Sequence, residues 1–112
     1  MGIGRSALEM AVASADERRQ LDRPIAQQQA IEFTLADMAM KVDAARLLAR
    51  RAAWLHDQGV CNTKGAAIAK CFAGDKVMQV TMDAAQVLGG YGCMKDCPLE
   101  IYMRDAKLHQ IY

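Results

Sequence analysis

"IEFTLADMAMKVDAARLLARRAAW", Ile31 to Trp54, repeats its apolar residues at the period of an α-helix. Ile31, Leu35, Met38, Val42, Ala45, Ala49 and Ala52 recur at alternating steps of four and three, a stripe sustained for three heptads. A second row, Phe33, Met40, Leu47 and Trp54, returns every seventh residue on another face. A helix that is apolar on two faces has to be covered on two sides. Its own bundle covers one side; the other implies a further domain or another subunit. The pattern predicts a helix from about Pro24 to His56, on the order of 50 Å long at the α-helical rise.

Upstream, "IGRSALEMAVASADERRQ" (Ile3 to Gln20) reads as a shorter helix that uses Ile3, Ala7, Leu8, Ala11, Val12 and Ala15. Arg23 precedes Pro24 and is therefore biased toward extended backbone, which separates the two helices. Downstream, "DQGVCNTKG" (Asp57 to Gly65) is a connector in which Asn62 or Thr63 suits the N-cap of a third helix. The stripe of that helix is Ala69, Ala73, Val77, Val80, Ala84 and Val87, and "LGGYG" (Leu88 to Gly92) stops it. A fourth helix opens at "DCPLE": Pro98 suits the first helical position, and Glu100 lies near the positive end of the dipole. Its apolar residues include Leu99, Tyr102, Met103, Ala106 and Ile111. No stretch alternates with period two for long enough to be a strand. The expectation is an all-α chain, an antiparallel up-down four-helix bundle formed by residues 1–112 as one domain.

Bulk properties exclude several classes of function. Fourteen Lys and Arg against thirteen Asp and Glu give a formal charge of +1, and aromatic residues make up 5% of the chain. A nucleic-acid module would show a basic face with interleaved aromatics, so no nucleic acid is expected. No apolar run approaches the roughly 18 residues of a membrane span, and "MGIGRSALEM" lacks the pattern of a signal peptide. Cys61, Cys71, Cys93 and Cys97 contain no C-x-x-C, so they read as reduced thiols serving as small apolar residues.

No nucleophile–base arrangement can be recovered. His56 and His109 read as solvated, and the acids lack H-E-x-x-H or E-x-x-H spacing, so no metal is expected. Two stretches stand out. "DERRQLDR" (Asp16 to Arg23) is either a solvated helix end or a phosphate contact, since it places Arg18 and Arg19 where a planar guanidinium can reach an anion. "LGGYG" is either a plain stop or a turn that bares its main chain to a ligand or another chain. G-G-x-G is not G-x-G-x-x-G and follows a helix, which excludes a dinucleotide-binding βαβ unit.

"QVLGGYGCMKDCPLEIYMRDAKLHQIY", Gln86 to Tyr112, resembles the C-terminal signature of the acyl-CoA dehydrogenases, and the segments before it continue the resemblance over essentially the whole chain. It is nearest to medium-chain members. The resemblance implies the C-terminal four-helix bundle of an FAD enzyme that desaturates fatty acyl-CoA thioesters and passes electrons to electron-transfer flavoprotein. It also implies bundles packed at the centre of a homotetramer, or at least a dimer, with each bundle reaching a neighbour's FAD. By the same resemblance, Arg18 matches the arginine that contacts the FAD pyrophosphate, and Gln29 closes the next motif. Gln86, Val87, Leu88, Gly89 and Gly90 match the element lying along the adenosine side.

In that family a carboxylate removes the α-proton while hydride passes to the flavin. The usual glutamate would directly follow Tyr112, so these 112 residues hold no catalytic residue and the chain reads as a fragment that is inactive alone. Leu21 and Asp22 depart from the family's usual Phe-Gly, which removes an aromatic contact and adds a negative charge. Two other readings compete: a self-associating helical bundle without enzymatic role, and a related flavin-dependent oxidase or monooxygenase of the same fold. The location implied is cytoplasmic in a bacterium, or the mitochondrial matrix in a eukaryote.

Overall fold

A computed structural model describes residues 2–112. Four helices build it: α1 (Gly2–Glu17), α2 (Gln29–Asp57), α3 (Thr63–Leu88) and α4 (Leu99–Ile111). They form an elongated bundle of 56 × 26 × 17 Å. α3 is central, since α1, α2 and α4 all pack mainly against it.

The sequence pattern explains how closely they pack. Along α1 the buried residues are Gly4, Ala7, Ala11 and Ala15, one per turn. A Cβ on Gly4 would stand 3.2 Å from Val77 Cγ2 of α3, so this face is small because the helices nearly touch. Met38 and Val42 of α2 meet Val80, Ala84 and Val87 of α3, and Cys97 and Leu99 close the core from the start of α4. Lys41 Nζ pairs with Asp37 of its own helix at 2.7 Å and donates across the α2–α3 seam to Asp83 at 2.9 Å. The lysine pKa is raised, chiefly by the hydrogen bond to Asp37 and, against partial desolvation, by Asp83. A raised lysine pKa adds stability throughout the neutral range, and that stability is lost as pH climbs through the folded-state value.

The last turn of α4 is held from the side by α3. Lys70 Nζ donates to the His109 carbonyl at 2.9 Å and lies 5.2 Å from the centre of the Tyr112 ring. Gln110 Nε2 donates to Asp75 Oδ1 at 2.9 Å. Between them Gly74 is buried, and a Cβ there would come within 2.9 Å of the His109 oxygen.

Several boundaries differ from expectation. Pro24 does not begin α2; it ends a two-strand hairpin, β1 (Arg19–Gln20) against β2 (Arg23–Pro24), followed by a 3-10 turn at Ile25–Gln27. Two-residue strands are too short for any alternation to show. Asn62 is the N-cap residue of α3, but its amide donates to the Ala52 carbonyl at 2.7 Å and thereby ties the connector to α2. Pro98 stands just before α4 as its N-cap. Only Cys97 of the four cysteines is buried; all four are free thiols. Val12 and Ile111, read as core, are exposed.

The second row of α2 is uncovered: Phe33 is 63% exposed, Met40 63%, Leu47 64% and Trp54 60%. The two faces of this one helix therefore respond differently to truncation. Under conditions where the chain is monomeric, Met38→Ala should lower unfolding free energy by about 2–4 kcal/mol. Met40→Ala should stay within about 0.5 kcal/mol of the parent. Urea titration followed by circular dichroism checks both.

Candidate functional site: an arginine beside a bare turn

α1 ends at Glu17, and the chain reverses through the hairpin. Its turn residues Leu21 and Asp22 both have left-handed backbone, φ 52 and 60. Two consecutive positive φ values between paired strands make a type I′ connection, which favours Asn-Gly. Asp tolerates this conformation; Leu does so poorly. Leu21 is left 85% exposed. The hairpin is fixed by Ile25 N donating to the Arg18 carbonyl at 2.8 Å and by Arg19 Nη2 donating to the Asp22 carbonyl at 3.0 Å. Both contacts consume backbone and the neighbouring arginine. The Arg18 side chain stays exposed, and among the described residues no carboxylate pairs with it.

The glycine turn comes to this arginine from the far end of α3. Arg18 Nη1 lies 3.7 Å from where a Cβ of Gly89 would stand. Two segments some seventy residues apart in sequence thus meet at one corner of the bundle. The three glycines there do different things. Gly89 has φ 64 and ψ −145, a region essentially restricted to glycine, and this breaks α3. Gly92 is buried, and a Cβ would stand 3.1 Å from the Ala85 Cα, so it lets the following 3-10 turn (Gly89–Cys93) fold back on α3. Gly90 is exposed, with nothing within 4 Å of a Cβ. Neither backbone conformation nor packing requires a glycine at that position.

The remaining predicted residues fall on both sides of the surface. Gln86 is exposed on the last turn of α3, while Val87 and Leu88 are buried in the core and have only main chain to offer a ligand. Gln29 is exposed as the first residue of α2, beyond the hairpin and the 3-10 turn. The apolar clefts of the bundle lie elsewhere, for example among Ile68, Phe72 and Met82 on α3. The corner residues Arg18, Gly89 and Gly90 line none of these clefts. Chemically the corner offers one free guanidinium, a stretch of uncovered main chain and an exposed amide side chain. That set suits an anion attached to a flat group, and it contains no acid–base pair. Among the described residues, no group of three or more His, Cys, Asp or Glu is placed to hold a metal.

The family described as acyl-CoA dehydrogenase, C-terminal domain, matches residues 1–112. The chain belongs to the acyl-CoA dehydrogenase family. An acyl-CoA dehydrogenase of Bacillus subtilis is 51% identical over the whole chain, which spans 30% of that protein. The butyryl-CoA dehydrogenase of Megasphaera elsdenii superposes with a TM-score of 0.97 at 45% identity, covering 99% of this chain and 29% of that one. An FAD complex of PigA superposes with a TM-score of 0.93 at 28% identity, again over 99% of this chain and 29% of its own. This chain therefore corresponds to under a third of the length of its relatives, and to their helical C-terminal part.

The two neighbouring glycines separate conformational need from surface use. Gly89→Ala should cost about 1–3 kcal/mol of stability, from its glycine-only backbone. Gly90→Ala should change stability by less than about 0.5 kcal/mol. Replacing Leu21-Asp22 by Asn-Gly should stabilise the chain by about 1 kcal/mol through relief of the left-handed turn. Thermal unfolding of the three variants measures all of these.

Proposed function

We propose that these 112 residues serve as the C-terminal bundle of an FAD-dependent acyl-CoA dehydrogenase, an oxidoreductase that introduces an α,β double bond into fatty acyl-CoA thioesters. The bundle contributes FAD contacts and subunit packing, and it does not turn over alone. The observation that carries this reading is the adjacency of the unpaired Arg18 guanidinium and the Gly89–Gly90 main chain. A guanidinium is suited to a pyrophosphate as a planar, permanently charged donor. The exposed Gly90 leaves room for a flat adenosine edge to approach backbone. Gln86 and Gln29 add exposed amides, and Val87 and Leu88 contribute by holding the turn from beneath. The bound flavin supplies the redox chemistry; the residues here bind and orient it.

With Arg18 and Gly90 both exposed, the corner completes a cofactor site only against a second surface. That fits a cofactor shared with a neighbouring subunit in a homodimer or homotetramer, with acyl-CoA as substrate and electron-transfer flavoprotein as acceptor for the assembled enzyme. The same reading places the protein in bacterial cytoplasm or in the mitochondrial matrix. The exposed Phe33–Trp54 row also favours a second reading, a self-associating helical module without catalysis.

Two measurements test the assignment. With added FAD and a medium-chain acyl-CoA, the 112-residue chain should reduce no dye, and turnover would overturn its inactivity alone. In the full-length polypeptide, Arg18→Ala and Gly90→Leu should each weaken FAD retention about tenfold or more, a loss of about 1.4 kcal/mol. Unchanged FAD affinity in both would remove the corner from the cofactor site.

A further inference from the structure

The tip of the hairpin carries two costs that no contact inside this chain offsets. Leu21 takes a left-handed backbone at φ 52 and leaves its side chain 85% exposed. Left-handed backbone at such a residue is a strain that tends to gather at ligand contacts. Asp22 follows at φ 60 and is exposed, and among the described residues its carboxylate has no ion-pair partner. Arg19 comes close, but its Nη2 donates to the Asp22 main-chain oxygen at 3.0 Å.

Register places this tip relative to the free arginine. Arg19 pairs with Pro24 and Gln20 with Arg23, and Ile25 N donates to the Arg18 carbonyl at 2.8 Å. Arg18 therefore stands at the base of the hairpin and Asp22 at its end, about 10 Å apart at the rise of a strand. In water, one carboxylate acting over about 10 Å on a doubly charged pyrophosphate lowers its affinity roughly fourfold. That distance is close to the screening length at about 0.1 M salt, so the repulsion fades as ionic strength rises. Arg19 and Arg23 share the hairpin, and Asp16 and Glu17 lie on the last turn of α1. These four charges stay the same when position 22 is changed, so a substitution there reads the charge of Asp22 alone.

We infer that Asp22 weakens cofactor retention by repelling the pyrophosphate held at Arg18, and that its effect is set by ionic strength. The inference rests on the proposed cofactor corner and adds to it a residue that opposes binding. Asparagine accepts left-handed backbone as aspartate does, so Asp22→Asn removes the charge and keeps the turn.

Titration of the FAD-depleted full-length polypeptide with FAD, followed by flavin fluorescence, tests it at two ionic strengths. At about 10 mM salt, where the screening length is about 30 Å, Asp22→Asn should bind FAD about threefold more tightly than the parent and Asp22→Lys about tenfold. At about 1 M salt, where that length is about 3 Å, both should come within about 1.5-fold of the parent. Asp57→Asn, at the far end of α2 and about 40 Å from Gln29, makes the same change in net charge and should leave the affinity unaltered. Thermal unfolding of the FAD-depleted forms checks that each variant folds. Parental affinity in both position-22 variants at low salt, a gain that persists at high salt, or an equal gain in Asp57→Asn overturns the inference while the corner stands. If Arg18→Ala leaves FAD affinity unchanged, the corner itself is lost and the inference falls with it.

Discussion

At Gly4 and at Gly74, neighbouring helices approach α3 closely enough that a single methyl group would meet a side chain at 3.2 Å or a carbonyl oxygen at 2.9 Å. This closeness is the condition on which the rest of the bundle depends. With α1 held tight by Gly4, Ala7, Ala11 and Ala15, a thin core of Met38, Val80 and Leu99 suffices to fill the interior. A thicker α1 face would push the hairpin away from the end of α3, because Arg18 follows directly on the last turn of that helix. The contact between Arg18 and Gly89 is thus a product of core spacing.

Large apolar residues of a compact bundle normally go to its centre, yet α2 keeps four of them in water. The free energy of covering them is unspent within one chain. Burial of apolar area scales at about 25 cal/mol per Å², so such a row favours association even before specific pairs form.

Helix positions were legible from the sequence because periodicity reports which residues share a face. The α2 stripe of Met38, Val42 and Ala45 is buried as its spacing required, and the parallel row, apolar on another face, is exposed in the single chain. The hairpin was not legible. Its strands are two residues each, and its turn is made by Leu-Asp, a pair that carries no turn signature. Nor did spacing reveal that the glycines of "LGGYG" divide their work, since only coordinates show Gly92 under Ala85 and Gly90 facing open space. The cysteines are free thiols as their spacing suggested, but spacing did not say which is buried: a small thiol at Cys61, Cys71 or Cys93 fits a surface as readily as an interior. The corner itself was suggested by a family resemblance; its residues come together in three dimensions through the whole length of α3.

That helix has a metric consequence. It bears the glycine turn at one end, and at Lys70, Gly74 and Asp75 it grips the last turn of α4. Fourteen residues of uninterrupted helix lie between Gly74 and Gly89, which puts the two roughly 22 Å apart along the axis. Helical rods resist stretching, so α3 works as a ruler: the distance between the arginine corner and the last turn of α4 is set by residue count. An insertion or deletion in that interval would change the gauge by about 1.5 Å per residue and swing the two ends about 100° relative to one another.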